Sequence, residues 1–493
     1  MTTTTASLSS REQEVLAGVK TDLLIGGEWR AASGGGTLPV EDPATGIEIA
    51  RVADATSDDA LAALDAAVRG QAALAELSPR QRSEILQKTS ELITAHTDEL
   101  AMLMTLELGK PLAESKGEVA YGASFFWWFA GEAVRFKGES RQSADGSGRT
   151  LVSRQPVGPS LFITPWNFPL AMGARKLAPA IAAGCPSIVK PAKLTPLTML
   201  KLGELLLEAG LPPEAISILT ATSASAISSP LLADRRLRKL SFTGSTEVGQ
   251  KLVAAAADTL LRVSMELGGN APLLVFDDAD LDVAVEGAFQ AKMRNGGEAC
   301  TSANRILVQS GIAPAFIEKF TARMAAIKVG RGTEEGVGLG SMVDQDQVDK
   351  IGELVDDAVA KGAKVATGGE RVGETGYFYA PTVLTDVPDD ARLLKEEIFG
   401  PVAPIRIFET EEQAVAEAND TEYGLISYLF TTDLARGHRV AANLDSGMVG
   451  LNRGVISSSD APFGGVKHSG YGREGGAEGI EEYLETKYLS MPF

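Results

Sequence analysis

The sequence predicts an α/β protein made of two doubly wound domains, each a largely parallel sheet covered by helices. Three observations carry that prediction. A chain of 493 residues exceeds what one hydrophobic core usually serves, so two large domains are expected. From Leu161 to Leu267, short β-rich runs alternate with helical stretches, the pattern of a doubly wound parallel sheet. A second series of the same kind follows Asn270, and no internal repeat relates the two.

The elements follow in order. Met1–Ser7 lacks the cationic start and apolar core of a secretory signal, and residues 1–19 read as a disordered tail. Leu23–Trp29, with its Gly26-Gly27 turn, and Asp42–Gly46 before Ile47–Val52 predict β-hairpins. Ser78-Pro79-Arg80-Gln81 forms a capping box with proline at the first helical position. Ile85, Leu92, Leu100 and Leu103 suit one long helix after it, stopped by Gly109 and Pro111. The aromatic run Phe125–Phe129 lies on a helix expected over Glu114–Phe136 and reads as core packing. Gln155–Ala174 is uncharged, yet Pro156, Pro159, Pro165 and Pro169 exclude a spanning helix. It reads as buried strand and turn beside a site.

In the first series, Ser187–Lys190 precedes a helix over Leu197–Ala209, and Ile216–Leu219 precedes another. Lys239–Thr243 then precedes a helix over Glu247–Leu261. The second series places strands near Pro272–Phe276, Arg305–Gln309, Lys364–Thr367, Ala403–Phe408, Tyr428–Phe430 and Gly447–Leu451. Gly138–Gly148 and Glu482–Phe493 fit neither domain.

Composition excludes several function classes. Charged residues at 23% and hydrophobic residues at 44% describe an ordinary globular protein. A net charge of −19 with no basic run argues against nucleic acid and anionic membrane as partners. An anionic substrate would need a local positive pocket. Cys185 and Cys300, with no CxxC, make neither a disulfide framework nor a thiolate metal site, and suit a reducing, cytoplasmic setting. His96, His438 and His468 share no ligand spacing, so no metal is expected and a carboxylate is the better candidate base.

Three segments carry the chemistry. Cys300 ends Asn295-Gly296-Gly297-Glu298-Ala299-Cys300, a thiol among small, backbone-permissive residues. Glu266 opens Glu266-Leu267-Gly268-Gly269-Asn270, and Asn167 sits on the proline-stiffened turn Thr164-Pro165-Trp166-Asn167-Phe168-Pro169. Nucleophile, base and amide donor are the roles that covalent acyl chemistry needs. No G-x-G-x-x-G follows a strand; Gly330-Arg331-Gly332 has the wrong spacing and reads as a loop. Phe242-Thr243-Gly244-Ser245-Thr246-Glu247-Val248-Gly249 is the better diphosphate candidate, a strand end and glycine turn opening a helix.

These segments, with Glu396-Glu397-Ile398-Phe399-Gly400-Pro401, resemble the NAD(P)-dependent aldehyde dehydrogenase superfamily in the family's order, from about Leu24 to Lys487. The resemblance implies an NAD(P)-binding domain over residues 20–137 and 155–266 and a catalytic domain over 267–475. It also implies an oligomerisation arm from 138–154 and 476–493, and hence a homodimer or homotetramer; from the residues alone the arm pieces are equally loop and tail. It makes Cys300 the nucleophile, Glu266 the deacylating base and Asn167 the oxyanion donor. Gly244, Ser245 and Gly249 fall at the pyrophosphate, Trp166 beside the cofactor, Lys190 at the adenosine ribose, and Glu397 and Phe399 at the nicotinamide ribose. Lys193 stands where NAD-preferring relatives carry glutamate; as a 2′-phosphate partner it favours NADP, with NAD possible, and as a solvated lysine it favours neither.

Within the family the likeness is to the succinate-semialdehyde dehydrogenases. Arg175, Arg294 and Ser457 fall where those enzymes hold a distal carboxylate, and two guanidinium groups with a hydroxyl make a carboxylate clamp. Glutarate semialdehyde, one methylene longer, fits the same clamp. A catalytically silent structural protein on this fold is the reading from another class. Lys176 and Glu474 match positions with secondary proton-handling roles, a surface ion pair being the alternative. Ser302 replaces a second cysteine, so a redox switch there is not expected. Arg453 reads either as a third anion contact or as an intersubunit ion pair.

Overall fold

The computed structural model describes residues 8–493. The expected character of Met1–Ser7 lies outside the described residues. Two large sheets and a small third one organise the chain.

The first sheet has eight strands. Its centre runs Ile216–Ile218, Ser187–Lys190, Ser160–Ile163, Lys239–Thr243, Arg262–Glu266, all parallel. Antiparallel strands close both edges: the hairpin Leu23–Ile25/Glu28–Arg30 and the short Gly470–Tyr471. The alternation of side chains shows both faces covered. Leu161, Ile163, Ile188 and Leu240 enter one core, while Phe162, Val189, Ile216 and Ile218 enter another.

The second sheet has seven strands, in the order Lys364–Thr367, Thr382–Thr385, Val402–Phe408, Ala303–Gln309, Ala271–Val275, Ile426–Phe430, Met448–Leu451. All neighbours are parallel except the antiparallel edge Lys364–Thr367. Leu273, Val275, Ile306 and Val308 face one core and Leu274, Leu307 and Leu429 the other. The third sheet is antiparallel and shares no strand with the other two. Leu484–Pro492 pairs along the whole of Gly148–Pro156, with Glu139–Gln142 on the far side.

Four expectations need correction. The stretch assigned to a disordered tail contains helix Ser10–Ala17, opened by a capping box between Ser9 and Glu12. Glu12 and Asp42 are both buried and both pair with Arg331, at 2.9 and 2.8 Å, so this helix is braced to the second half of the chain. The long helix after Ser78 is two, Pro79–Ala95 and Thr97–Leu108, interrupted at His96, where the backbone leaves helical geometry. The aromatic helix spans Leu112–Glu132; Phe125, Phe126 and Phe129 are buried as expected, whereas Trp127 is 67% exposed. Finally, Gly470–Tyr471 pairs with Met265–Glu266, so the chain there lies on the first sheet, not with the second.

Candidate active site

In the first sheet, chain order and spatial order part between Ser160–Ile163 and Lys239–Thr243, whose crossovers leave in opposite directions. Ligands of doubly wound sheets bind outside the carboxyl ends of strands at such a point. Ile163 pairs with Phe242, so the turns beginning at Thr164 and at Thr243 emerge side by side. One carries Trp166 and Asn167. The other carries Gly244 and Ser245, whose hydroxyl caps helix Thr246–Ala257 by accepting the Val248 N–H. Glu266 ends the next strand.

The Cys300 loop reaches this place from the second sheet. Cys300 lies just before strand Ala303–Gln309, and the loop before it turns through a left-handed Asn295 (φ +53°). Gly269 is needed for the approach: a Cβ there would stand 2.6 Å from the Cys300 carbonyl oxygen. The two loops are tied directly. Asn295 Nδ2 donates to the Asn167 and Glu298 carbonyls, both at 3.0 Å, and Asn167 Nδ2 donates to the Glu298 carbonyl at 2.9 Å.

A cavity of about 230 Å³ opens where these segments meet. Of the residues singled out from sequence, Cys300, Glu266, Asn167, Trp166, Gly244, Ser245, Glu397, Phe399, Arg175, Arg294 and Ser457 all line it. Trp166 and Phe399 meet edge to face at 5.3 Å. Glu397 accepts the Gly269 N–H at 3.2 Å, and burial pushes its carboxyl up to about 7.

Three expected ligands are not on the wall. Gly249 faces Leu267, whose side chain would lie 2.5 Å from an added Cβ; it permits close helix–strand packing. Lys190 is buried behind the cavity, its ammonium brought down to about 8 by burial and by Lys193. Lys193 is exposed and lines a neighbouring cleft with Glu41, Glu48, Glu107 and Asp344. Arg453 is exposed and off the wall, which removes it as a third anion contact.

Burial dominates the electrostatics. It pushes the Cys300 thiol up to about 12; Arg175 and Arg294 pull it back, while Glu397 and Glu266 push it further. Glu266 is held well above the usual carboxylate range by burial and then by Glu474, and neither of its oxygens has a hydrogen-bond partner among the described residues. Glu474 goes the other way: burial raises it, but Lys176 and Arg175 outweigh that and hold it low. Lys176 Nζ donates to Glu474 at 2.6 Å, Thr243 at 2.7 Å and Ser241 at 3.0 Å, all buried, so a surface ion pair is excluded. Arg175 is the surprise among the two arginines. Its Nε lies 2.8 Å from Glu474 and its guanidinium stacks on Phe463 at 3.7 Å, so it is partly committed before any substrate arrives. Arg294 donates to the Ser457 hydroxyl at 3.2 Å.

Residues that sequence reasoning missed include Tyr121, Phe463, Gln347 and Lys350. Gln347 donates to the Ile398 and Phe399 carbonyls and so fixes the Glu397–Phe399 loop. None belongs to a compact motif; each comes from a helix or loop distant in sequence.

The cavity brings a thiol, buried carboxylates and the start of a capped helix together at the switch point of a doubly wound sheet. The chain belongs to the aldehyde dehydrogenase family, whose model matches residues 29–489. It is 55% identical to the succinate-semialdehyde dehydrogenase of Paenarthrobacter nicotinovorans, over 90% of this chain and 98% of that protein. It is 49% identical to the glutarate-semialdehyde dehydrogenase of Pseudomonas putida strain KT2440, over 95% of this chain and 97% of that one. A crystal structure described as an E. coli NADP dependent enzyme superposes with a TM-score of 0.96 at 45% identity, covering 99% of this chain and 100% of its own.

Proposed function

We propose that this protein oxidises succinate semialdehyde to succinate with NADP as acceptor. The observation that carries the substrate is Arg294, hydrogen-bonded to Ser457 and sharing one cavity wall with Arg175 and Cys300. A carboxylate there would sit within reach of two guanidinium groups while the aldehyde end lies at the thiol. The residues fit a dinucleotide as well. A capped helix opens at the switch point for the diphosphate, Glu397 is free to accept at its second oxygen, and Trp166 with Phe399 edges the mouth. When bound, the cofactor supplies the hydride acceptor and a positive ring beside a thiol that burial otherwise keeps protonated.

The chain's own residues supply the remaining steps. The Cys300 sulfur adds to the aldehyde carbon, and the oxyanion is held by the Asn167 amide and the Cys300 backbone N–H. Loss of hydride leaves a thioester on Cys300. Glu266 takes a proton from water, whose oxygen bonds to the thioester carbon as the carbon–sulfur bond breaks, releasing the acid and the thiolate. Glu474 and Lys176 sit behind Glu266 as its charge partners.

Lys193 lies beside Lys190, and its charge supports NADP over NAD. We assign the eight-stranded sheet to cofactor binding, the seven-stranded sheet to catalysis and the three-stranded sheet to joining copies in a homodimer or homotetramer. A cytoplasmic setting suits two unpaired thiols. Glutarate semialdehyde is the second reading, favoured by the relative that acts on it. The deciding measurement is kcat/KM for succinate semialdehyde, glutarate semialdehyde and butanal with both cofactors. Succinate semialdehyde with NADP should lead; butanal equal to the carboxylated aldehydes would overturn the clamp.

A further inference from the structure

The structure assigns a further donor to the carboxylate end of the cavity: the hydroxyl of Tyr121. This inference rests on the clamp reading above and extends it to a residue that no motif marks. Tyr121 lies on helix Leu112–Glu132, in the midst of what reads as a packing face. Its ring sets an edge against Phe125, with centroids 5.0 Å apart, and turns its surface to Arg294, whose guanidinium carbon stands 5.5 Å from the ring centroid. Tyr121, both arginines and Ser457 line the same cavity.

The hydroxyl itself is what the packing role leaves unexplained. It is buried and has no hydrogen-bond partner among the described residues. Buried phenol hydroxyls nearly always find partners, because leaving one unmade forfeits its hydration. Phenylalanine would pack on Phe125 and lie under Arg294 without that penalty. A second orphan lines the same cavity: Arg175 Nη2 is buried without a hydrogen-bond partner, and its Nε, though 2.8 Å from Glu474, makes an ion-pair contact without hydrogen-bond geometry. Two unmatched donors beside an Arg294–Ser457 pair call for one acceptor with several lone pairs. A carboxylate accepts about four hydrogen bonds and answers all of them. An uncharged aldehyde tail would leave both donors unpaired. The chemistry therefore selects for a small anion-tailed aldehyde, and Tyr121 is a specificity residue touching the end of the substrate remote from the thiol.

The test is Tyr121→Phe in the full-length enzyme, which keeps the ring and removes one donor, with Arg294→Ala measured beside it. For Tyr121→Phe, kcat/KM for succinate semialdehyde should fall about tenfold to a hundredfold, the usual effect of losing a hydrogen bond to a charged group, while butanal changes less than about threefold. An equal fall for both aldehydes would mean that the hydroxyl supports the fold or the Cys300 loop, and no fall for either would mean that it points away from substrate; each overturns the assignment. If Arg294→Ala discriminates between the aldehydes and Tyr121→Phe does not, Tyr121 alone is wrong. If neither discriminates, the clamp falls with it.

Discussion

Arg175 and Arg294 look equivalent in sequence and differ in what holds them. Both act on Cys300, Arg175 more strongly, but Arg294 leans on a hydroxyl, whereas Arg175 is 2% exposed, ion-paired to Glu474 and acts on Glu266 as well. Arg294→Ala should therefore lower kcat/KM for the carboxylated aldehyde by about tenfold to a hundredfold and spare butanal. Arg175→Ala should impair both substrates and lower stability by about 3–5 kcal/mol, since it unpairs part of a buried carboxylate. Matching selectivity in the two variants, with an unchanged urea midpoint for Arg175→Ala, would refute this division. Glu266 makes a separate prediction. Its folded-state pKa is raised, so in the proposed role of base it would act only once pH passes that raised value, and thioester hydrolysis should speed up with pH well above the ordinary carboxylate range. Glu266→Gln should show an NADPH burst near one per site, then a slow steady state without that limb; an unaltered steady state would remove Glu266 as the base. Lys193 is exposed beside Lys190, so Lys193→Glu should shift the NADP/NAD ratio of kcat/KM by roughly fivefold to thirtyfold, the scale of exposed charge pairs reversed in sign. An unchanged ratio would remove Lys193 as a 2′-phosphate partner.

Among elements, the elbow between helices Thr97–Leu108 and Leu112–Glu132 holds the site together, one carboxylate to each segment. Glu107 accepts the Leu197 and Thr198 N–H groups after the Lys190–Lys193 stretch. Glu118, paired with Lys110, accepts those of Leu170 and Ala171 after the Asn167 turn. Glu114 accepts that of Asn295 at 2.7 Å. Asn295 in turn grips the Asn167 carbonyl, so Glu114→Ala should lower kcat at least tenfold, the scale of a slightly misplaced reacting group. Glu114→Gln, which still offers an acceptor, should recover most of it. Equal losses in the two would mean that charge, not this hydrogen bond, matters. Such contacts explain what was legible beforehand. Strands Ser187–Lys190, Lys239–Thr243 and Lys364–Thr367 fall on the residues expected, because each is a compact β-rich run between turn signals. Strand Arg262–Glu266, directly after the expected helix, was not anticipated, since its Arg-Val-Ser-Met-Glu pattern gives no clean period. Likewise Cys300, Glu266 and Asn167 stand in short motifs, while Tyr121 and Glu114 matter only through partners more than 150 residues away.

At the scale of the whole molecule, the three-stranded sheet leaves a nine-residue strand, Leu484–Pro492, with one edge unpaired. Tyr488 and Leu489 are 62% and 48% exposed along it, and Phe493 just past its end is 75% exposed. A long edge strand bearing apolar side chains invites pairing with another chain unless something covers it. Nothing in the described residues does so, although the strand's first residue is tied to the first sheet by Arg262, which donates to the Leu484 carbonyl at 2.6 Å. A second copy of this chain is the cover that the proposed oligomer supplies. Leu489→Glu places a charge on that surface without touching the cavity, so it should lower the mass measured by light scattering while each chain keeps its fold by circular dichroism. A wild-type enzyme that scatters as a monomer, or a variant of unchanged mass, would show that this sheet does not join copies.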